Sequence, residues 1–389
     1  MLTLPRQAAF MLNLAHLLDH LFLLIFATAV AAIAREFGFA RWEDLMPYGA
    51  GAFVMFGLGS LPAGRLGDLW GRRQMMLVFF AGMGMSSLLV ACTRNAWELA
   101  AALTLLGTFS AIYHPVGIPM LVQGSARPGA VIGVNGLSGN LGIAAAALVT
   151  GLLVQTLGWR AAFAVPGLAS LALGLLFARV TPHELEPPSQ RSRRQASTLT
   201  PAQMARVFLV MTVASATGGM VFNMTTNGNG QLLTERLRGV VDDPARLGVL
   251  LASLYALASL AQVVVGRLID RVPLRRLQMS ILLMQVPLLL LASQAQGWWL
   301  YACLIGTMVT IFGAIPFTDA VIVRYVDDRM RSRVAGMRLT VSVGISSLAV
   351  WALGPVVKAA GFASLLLGLA ALPLLTAAIV SFLPEEQAA

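Results

Sequence analysis

The side chains with the clearest chemical potential lie in the stretch "NLAHLLDH", which holds Asn13, His16, Asp19 and His20 inside a long apolar run. On a helix turning by about 100° per residue these four share an arc of roughly 120°, so they project from one face. Asp19 lies about eleven residues, or roughly 17 Å, beyond Ala8, which is near the middle of a bilayer. Ionisable groups at that depth are costly and mark functional positions. A carboxylate between two imidazoles there can exchange a proton, so Asp19, His16 and His20 are the expected proton-coupling set. The alternative is a polar network that fixes this helix against its neighbours. Zinc binding by His16 and His20, one helical turn apart, is geometrically allowed. No HExxH pattern or further nearby ligand set accompanies them, so no metal is assigned.

Other polar groups punctuate later apolar runs. "AIYHPVGIPM" carries Pro115 and Pro119, which must disturb a helix and free carbonyl groups beside Tyr113 and His114. "AIPFTDAVIVRY" breaks a second run in the same way with Pro316, followed by Asp319 and Arg324. Paired interruptions of this kind point to a binding site. "NGLSGNLGIAAAALVTG" offers Asn135 and Asn140 among small residues that permit close helix approach. "NMTTNGNGQ" holds Asn223 and Asn227 with Gly228 and Gly230, and glycine's cost of about 1 kcal/mol in a helix predicts local unwinding there. Asn13, Tyr113, His114, Asn135, Asn140, Asn223, Asn227 and Asp319 are the expected substrate-cavity residues. Asp319 has a second reading, an ion pair with Arg324 or Arg338.

The elements that must carry these residues follow from composition. Of 389 residues 58% are hydrophobic and only 11% charged, with a mean hydropathy of +0.78. A soluble domain carries about a quarter charged residues. About 20 apolar residues cross a bilayer as helix, and runs of that length recur roughly twelve times. In the first half they are Ala8–Ala34, Met46–Ala63, Met75–Cys92, Leu99–Val122, Val131–Leu157 and Ala161–Phe177. In the second they are Val207–Leu233, Leu247–Val265, Leu277–Ser293, Trp299–Val323, Val334–Val357 and Phe362–Phe382. The runs are continuous rather than alternating, which argues against a β-barrel. The first is too long and too polar to be a signal peptide.

With both termini placed in the cytoplasm, the cytoplasmic segments hold the larger share of the 27 Lys and Arg residues, as positive charge on that side requires. The formal charge of +10 then needs no nucleic acid: arginines in short loops beside spans meet anionic lipid headgroups. Cys92 and Cys303 fall in different halves and suggest neither a disulfide framework nor a metal site.

"GRLGDLWGRR" (Gly64 to Arg73) is echoed by "GRLIDRVPLRR" (Gly266 to Arg276) about 200 residues later, and the same spacing relates Ala111-Ile112 to Ala314-Ile315 and Gly133 to Gly336. The chain therefore reads as two six-span halves, residues 1–180 and 205–389, joined by a Pro-, Ser- and Arg-rich linker, 181–204. Gly64 and Gly67 allow close backbone approach and Gly71 a tight turn. Asp68 offers a carboxylate to a helix N-terminus, where the dipole favours it, and Arg72 and Arg73 can bridge to acidic groups. The second copy keeps Asp270 but lacks a glycine in place of Gly71.

"GRLGDLWGRR" resembles the signature between spans two and three of the major facilitator superfamily, and "GWRAAF" (Gly158 to Phe163) resembles another feature of that family. The resemblance covers essentially the whole chain. It implies an all-α integral membrane fold of twelve transmembrane helices in two pseudo-symmetric six-helix lobes, with a substrate cavity between them and alternating access. It further implies that Gly64, Asp68, Gly71, Arg72, Arg73 and Asp270 form a cytoplasmic gate. The expected partners are a small-molecule substrate, protons and membrane lipids, with no organic cofactor and a monomeric carrier. Missing from the chain are the proline of the span-five antiporter motif and the span-four arginine of multidrug antiporters. "YHPVG" and "SGNLG" resemble instead the branch of fosmidomycin-resistance exporters. Proton-coupled export across a bacterial inner membrane is the leading expectation. A proton-symport or uniport importer is the alternative, and a non-transporting scaffold or sensor is the alternative of another class. No phosphate loop, nucleophile elbow or metal set suggests an enzyme.

Overall fold

A computed structural model of the chain describes residues 4–40, 44–191, 200–242 and 244–383. The first half holds α1 (Arg6–Glu36), α2 (Ala50–Trp70), α3 (Arg72–Ala91), α4 (Ala96–Ser110), α5 (Ile118–Val122), α6 (Pro128–Leu157) and α7 (Trp159–Val180). The second half holds α8 (Pro201–Arg236), α9 (Pro244–Ile269), α10 (Leu274–Gln294), α11 (Gly297–Gly313), α12 (Pro316–Tyr325) and α13 (Arg331–Val380), which Gly361 at φ 76° divides in two.

Among the described residues, 10 helices are long and apolar enough to cross a membrane. The expected spans that fall outside this set are α2, whose glycines and Arg65 dilute its hydropathy, and the first part of α13, where several side chains lie outside the described residues. α4 and α5 together make one span, Ala96–Val122, as do α11 and α12, Gly297–Tyr325. Each is interrupted where the prolines predict. The expected unwinding at Gly228 and Gly230 does not occur: α8 runs unbroken from Pro201 to Arg236. Phe362 and Leu353 lie at ordinary contact distance, 3.4 and 3.5 Å, from the place a Cβ would take on Gly228, within this continuous helix.

Local sequence fixes the helix starts. Asn95 accepts from the N–H groups of Trp97 and Glu98 at the head of α4 (3.1 and 3.0 Å), and Thr200 with Gln203 forms a capping box on α8.

Contacts divide the chain into two compact units. The first comprises Met1–Ala126, Ser138–Ala196 and Val326–Thr340, and the second Arg127–Leu137, Ser197–Tyr325 and Val341–Ala389. In the first unit α3 lies on α7, where Ser87 donates to the carbonyl of Phe163 (2.7 Å) and Ser170 to that of Phe80 (2.9 Å). Gly107 brings α4 onto the backbone of α2 at Ala52. At one end, Trp159 and Arg160 of α7 donate to Glu36 of α1 (2.7 and 2.6 Å). In the second unit α11 packs between α9 and α10. Tyr301 donates to the carbonyl of Leu250 (3.0 Å) and Gln285 to that of Thr310 (3.1 Å). Both cysteines are free thiols, Cys92 exposed and Cys303 buried.

Candidate functional site

The polar face of α1 meets the broken fourth span inside the first unit. Pro115 has no N–H to donate, and its ring excludes the usual carbonyl one turn back. The chain responds with a single π turn, Tyr113–Gly117, between α4 and α5. That wide turn swings Tyr113 and His114 onto α1. Tyr113 donates its hydroxyl to the carbonyl of Leu12 (2.8 Å) and stacks on His16, ring centroids 4.7 Å apart. His114 brings its Nε2 to 3.3 Å from Nε2 of His20 and to 3.9 Å from a carboxylate oxygen of Asp19.

Asp19 is fully buried. Its Oδ1 accepts the hydroxyl of Ser110, the last residue of α4, in a short hydrogen bond, while Oδ2 has no hydrogen-bond partner. Three of the chain's four histidines thus come together, with His114 facing the Asp19 carboxylate, and the ligand atoms of His16, His20 and His114 lie within 4.8 Å of one another. Their number and spacing fit a metal ion as well as a proton.

Glycines of α6 complete the wall. A side chain on Gly139 would meet the His16 ring at 2.6 Å, and one on Gly142 would strike the backbone at Leu17. Asn140, the last residue of the "SGN" stretch, is buried with its amide nitrogen unpartnered. Asn13 is half-buried on the same helix as the histidines.

The remaining expected cavity residues belong to the second unit. Asn135 is buried there, Asn223 donates to the carbonyl of Gly219 on its own helix (2.9 Å), and Asp319 is half-buried in the first turn of α12. Arg324, its suggested partner, donates to the carbonyl of Ile269 (3.1 Å). The Asn227 side chain lies outside the described residues.

The charged signature forms a second cluster in the first unit. Gly64 lets α2 approach other backbone, since a Cβ there would strike the carbonyl of Ser332, while Gly67 makes room for the Val116 side chain. Asp68 Oδ2 accepts from the N–H of Arg333 (2.9 Å) in the first turn of α13, as its expected place at a helix N-terminus requires. Gly71 turns the chain at φ 107°. Arg72 is wholly buried and donates to Ser332 Oγ (3.0 Å), the Pro119 carbonyl (3.3 Å), and both the carboxylate (2.8 Å) and carbonyl (2.7 Å) of Asp328. Arg73 donates to the carbonyls of Ala178 (2.7 Å) and Thr181 (2.9 Å).

Sequence reasoning missed the acids that answer these arginines. Glu184 accepts from the Arg73 backbone N–H (3.0 Å) and from Arg191 (2.8 Å), and Arg191 reaches Asp328 at 2.6 Å. Arg331 also reaches Asp328, at 3.0 Å. Burial pushes the Asp328 carboxyl up, but Arg72, Arg331 and Arg191 outweigh it and hold the group below the usual carboxylate range. In the second unit Asp270 accepts from the N–H groups of Gly129 and Ala130 (both 2.8 Å) at the head of α6, so it caps a helix as Asp68 does.

Comparison with known proteins follows this geometry. The chain is 32% identical to the tetracenomycin C resistance and export protein of Streptomyces glaucescens over 158 residues, 39% of this chain and 29% of that protein. It is 30% identical to the puromycin resistance protein pur8 of Streptomyces alboniger over 159 residues, 40% of this chain and 31% of that one. These matches span less than a third of either relative. Among solved structures, the human organic anion transporter MFSD10 (TETRAN) superposes with a TM-score of 0.78 at 15% identity, over 96% of this chain and 99% of that one. The proton:xylose symporter XylE does so with a TM-score of 0.77 at 13% identity, over 97% and 96%. The sequence pattern of the Major Facilitator Superfamily runs from residue 12 to residue 349, through both the histidine cluster and the arginine cluster. Helical architecture, charged signature and sequence pattern agree: this protein is a multi-pass membrane protein belonging to the Major Facilitator Superfamily of transporters.

Proposed function

We propose that the protein is a proton-coupled exporter of small organic molecules in a bacterial inner membrane, with both termini cytoplasmic. The observation that carries this reading is Asp19: a fully buried carboxylate, held by Ser110 and faced by His114, on a helix that crosses the membrane. A group at that depth that takes a proton in one state and yields it in another couples transport to the proton gradient. His114 faces it and His16, His20 and Tyr113 pack around His114, where an arriving substrate and a proton would compete. The direction, export, is favoured by relatives named for resistance and export.

In this reading residues 1–180 and 205–389 form the two lobes of the carrier, joined by 181–204. Asp68, Arg72 and Arg73 with the segment around Asp328, and Asp270 with the head of α6, close the cytoplasmic side. Asn13, Asn135, Asn140, Asn223, Asn227 and Asp319 are the further candidates for substrate contact.

Proton release or uptake by detergent-purified protein tests the proposal. Tetracenomycin C, puromycin and a fosmidomycin-like phosphonate make up the panel, with wild type compared with Asp19→Asn. A substrate-dependent proton signal that disappears in Asp19→Asn supports coupling at this group. Substrate binding with no proton signal in either form refutes it.

A further inference from the structure

We infer that His16, His20 and His114, with Asp19, form a binding site for a divalent transition-metal ion of the zinc type, and that the ion inhibits transport when bound. The inference concerns the same residues as the proposed function but needs only their geometry.

Zinc takes imidazole nitrogens at about 2.0–2.1 Å in a tetrahedral array, which sets two bound nitrogens about 3.3 Å apart and two bound ring centroids about 5.2 Å apart. The Nε2 atoms of His20 and His114 are 3.3 Å apart. The three ring pairs have centroid separations of 4.6, 4.9 and 5.5 Å. Two of these pairs are edge-to-face, at 76° and 87°. The third pair, His20 and His114, lies nearly parallel at 24° with its Nε2 atoms facing each other, so His16 comes to the group from a different direction than the other two rings.

Beside the three nitrogens lies Asp19 Oδ2, buried, without a hydrogen-bond partner and 3.9 Å from His114 Nε2, which the ion would draw in as fourth donor. It also supplies the negative charge that a buried dication requires. A second layer orients the ligands, as metal sites demand. Ser110 holds the other Asp19 oxygen, and Tyr113, anchored on Leu12, stacks against His16. His20 and His114 are only half-buried, which leaves a side for entry. Three nitrogens and one oxygen select a borderline ion such as Zn²⁺, Co²⁺ or Ni²⁺ over Mg²⁺ or Ca²⁺, which prefer oxygen.

An ion held this way would tie α1 to the π turn of the fourth span and occupy the only acid of the cluster. Sequence alone could not assemble the set, because His114 is 94 residues from His20.

The test uses tag-free, full-length protein in detergent at neutral pH, titrated with Co²⁺ by absorption and with Zn²⁺ by calorimetry. One saturable ion per chain with tetrahedral cobalt bands is expected. Affinity should fall at least tenfold in His20→Ala and in His114→Gln, and hold in His183→Ala, the histidine outside the cluster. Zn²⁺ should block substrate transport in proteoliposomes of wild type. Absence of a saturable site in wild type, or equal affinity in all variants, overturns the inference.

Should the cluster variants fail to fold, wild type still decides. Zn²⁺ must protect three histidines, and not His183, from diethyl pyrocarbonate, and equal modification with and without Zn²⁺ overturns the site. Ion binding without a substrate-dependent proton signal would leave this site standing and remove the proton reading, and the reverse pair of results would do the opposite.

Discussion

Asp328 answers three arginines at once, and Asp328→Asn removes that charge while keeping the shape of the side chain. Arg72 would then remain wholly buried with only Asp68, at 3.7 Å, as a carboxylate partner. Removing one member of a fully buried pair costs about 3–5 kcal/mol, because a charge is left uncompensated. The Asp328 side chain is 14% exposed and Arg72 retains Asp68, so a loss of about 2–3 kcal/mol is expected, the discount reflecting solvent screening.

Thermal or denaturant unfolding in detergent measures the loss, and double-mutant cycles assign it. Coupling of Asp328 to Arg72 should exceed its coupling to Arg191, which keeps Glu184 as a second partner at 2.8 Å. The pH dependence has a definite sign. Because the folded-state carboxyl is held below its ordinary range, its contribution is fully present above the unfolded value, about 3.9. It disappears only as pH falls through the lower folded value. The difference between wild type and Asp328→Asn should therefore stay constant from pH 8 to 5 and shrink only in stronger acid. A difference below about 0.5 kcal/mol, the size of an ordinary surface change, or one that already fades between pH 7 and 5, would refute the charge-pairing argument.

Four further outcomes follow from the same contacts. In Gly266→Ala the new Cβ would lie 2.5 Å from the Gly129 carbonyl oxygen and 2.7 Å from Gly133 Cα, so a loss of about 1–3 kcal/mol is expected in the same unfolding assay. Tyr113→Phe removes the hydroxyl that reaches Leu12 and should cost about 1 kcal/mol, and unchanged melting would rule out that anchor. Glu36→Gln should cost only about 0.2–1 kcal/mol, since its pair with Arg160 is exposed. Hydrogen bonds from Arg160 and Trp159 hold the Glu36 carboxyl low, so this cost should be full above the unfolded value of about 4.3 and disappear only as pH falls through the lower folded value. Asp68→Asn and Asp270→Asn each weaken a carboxylate cap and should each cost about 0.5–2 kcal/mol, a loss confined to Asp68→Asn excluding the second cap.

The helical frame was legible because membrane-length runs and prolines act locally. The shared face of His16, Asp19 and His20 follows from helical period alone, and Pro115 marked the break beside them. The side to which that break turns was not legible. A π turn departs from the regular 100° step, so no wheel drawn through the fourth span brings His114 to His20. Ser110 was equally hidden, one of three hydroxyls in "LGTFSAIYHP", with its partner 91 residues away. Glu184 and Arg191 sit in a stretch whose Pro-, Ser- and Arg-rich composition reads as a plain linker, and only the fold shows them gripping Arg73 and Asp328. The glycines of α8 misled in the other direction. Intrinsic propensity is worth only about 1 kcal/mol per glycine, and α8 runs through both without a break.

The repeat shows which parts of the charged signature do the joining. In the first unit Gly64 of α2 meets Ser332 and Gly336 meets Ser60, while Asp68 caps the start of α13. In the second unit Gly266 of α9 meets Gly129 and Gly133 meets Gln262, while Asp270 caps the start of α6. Gly64 and Gly266, like Gly133 and Gly336, are counterparts in the repeat, so one joint has been built twice from exchanged elements. The turn residue is where the copies part. Asp68 lies within α2 and Gly71 follows at φ 107°, a position where a side chain would meet Glu184 at 2.6 Å. Asp270 instead follows the end of α9, with Pro273 opening α10 at φ −53°. A missing glycine there argues against a second joint when the sequence is read alone. The cap needs only a carboxylate at the right height beside a helix start, and either turn supplies it. The glycine of the first copy answers a different demand, a turn at φ 107° beside the Glu184 carboxylate, and the second copy, which turns through Pro273, can dispense with it.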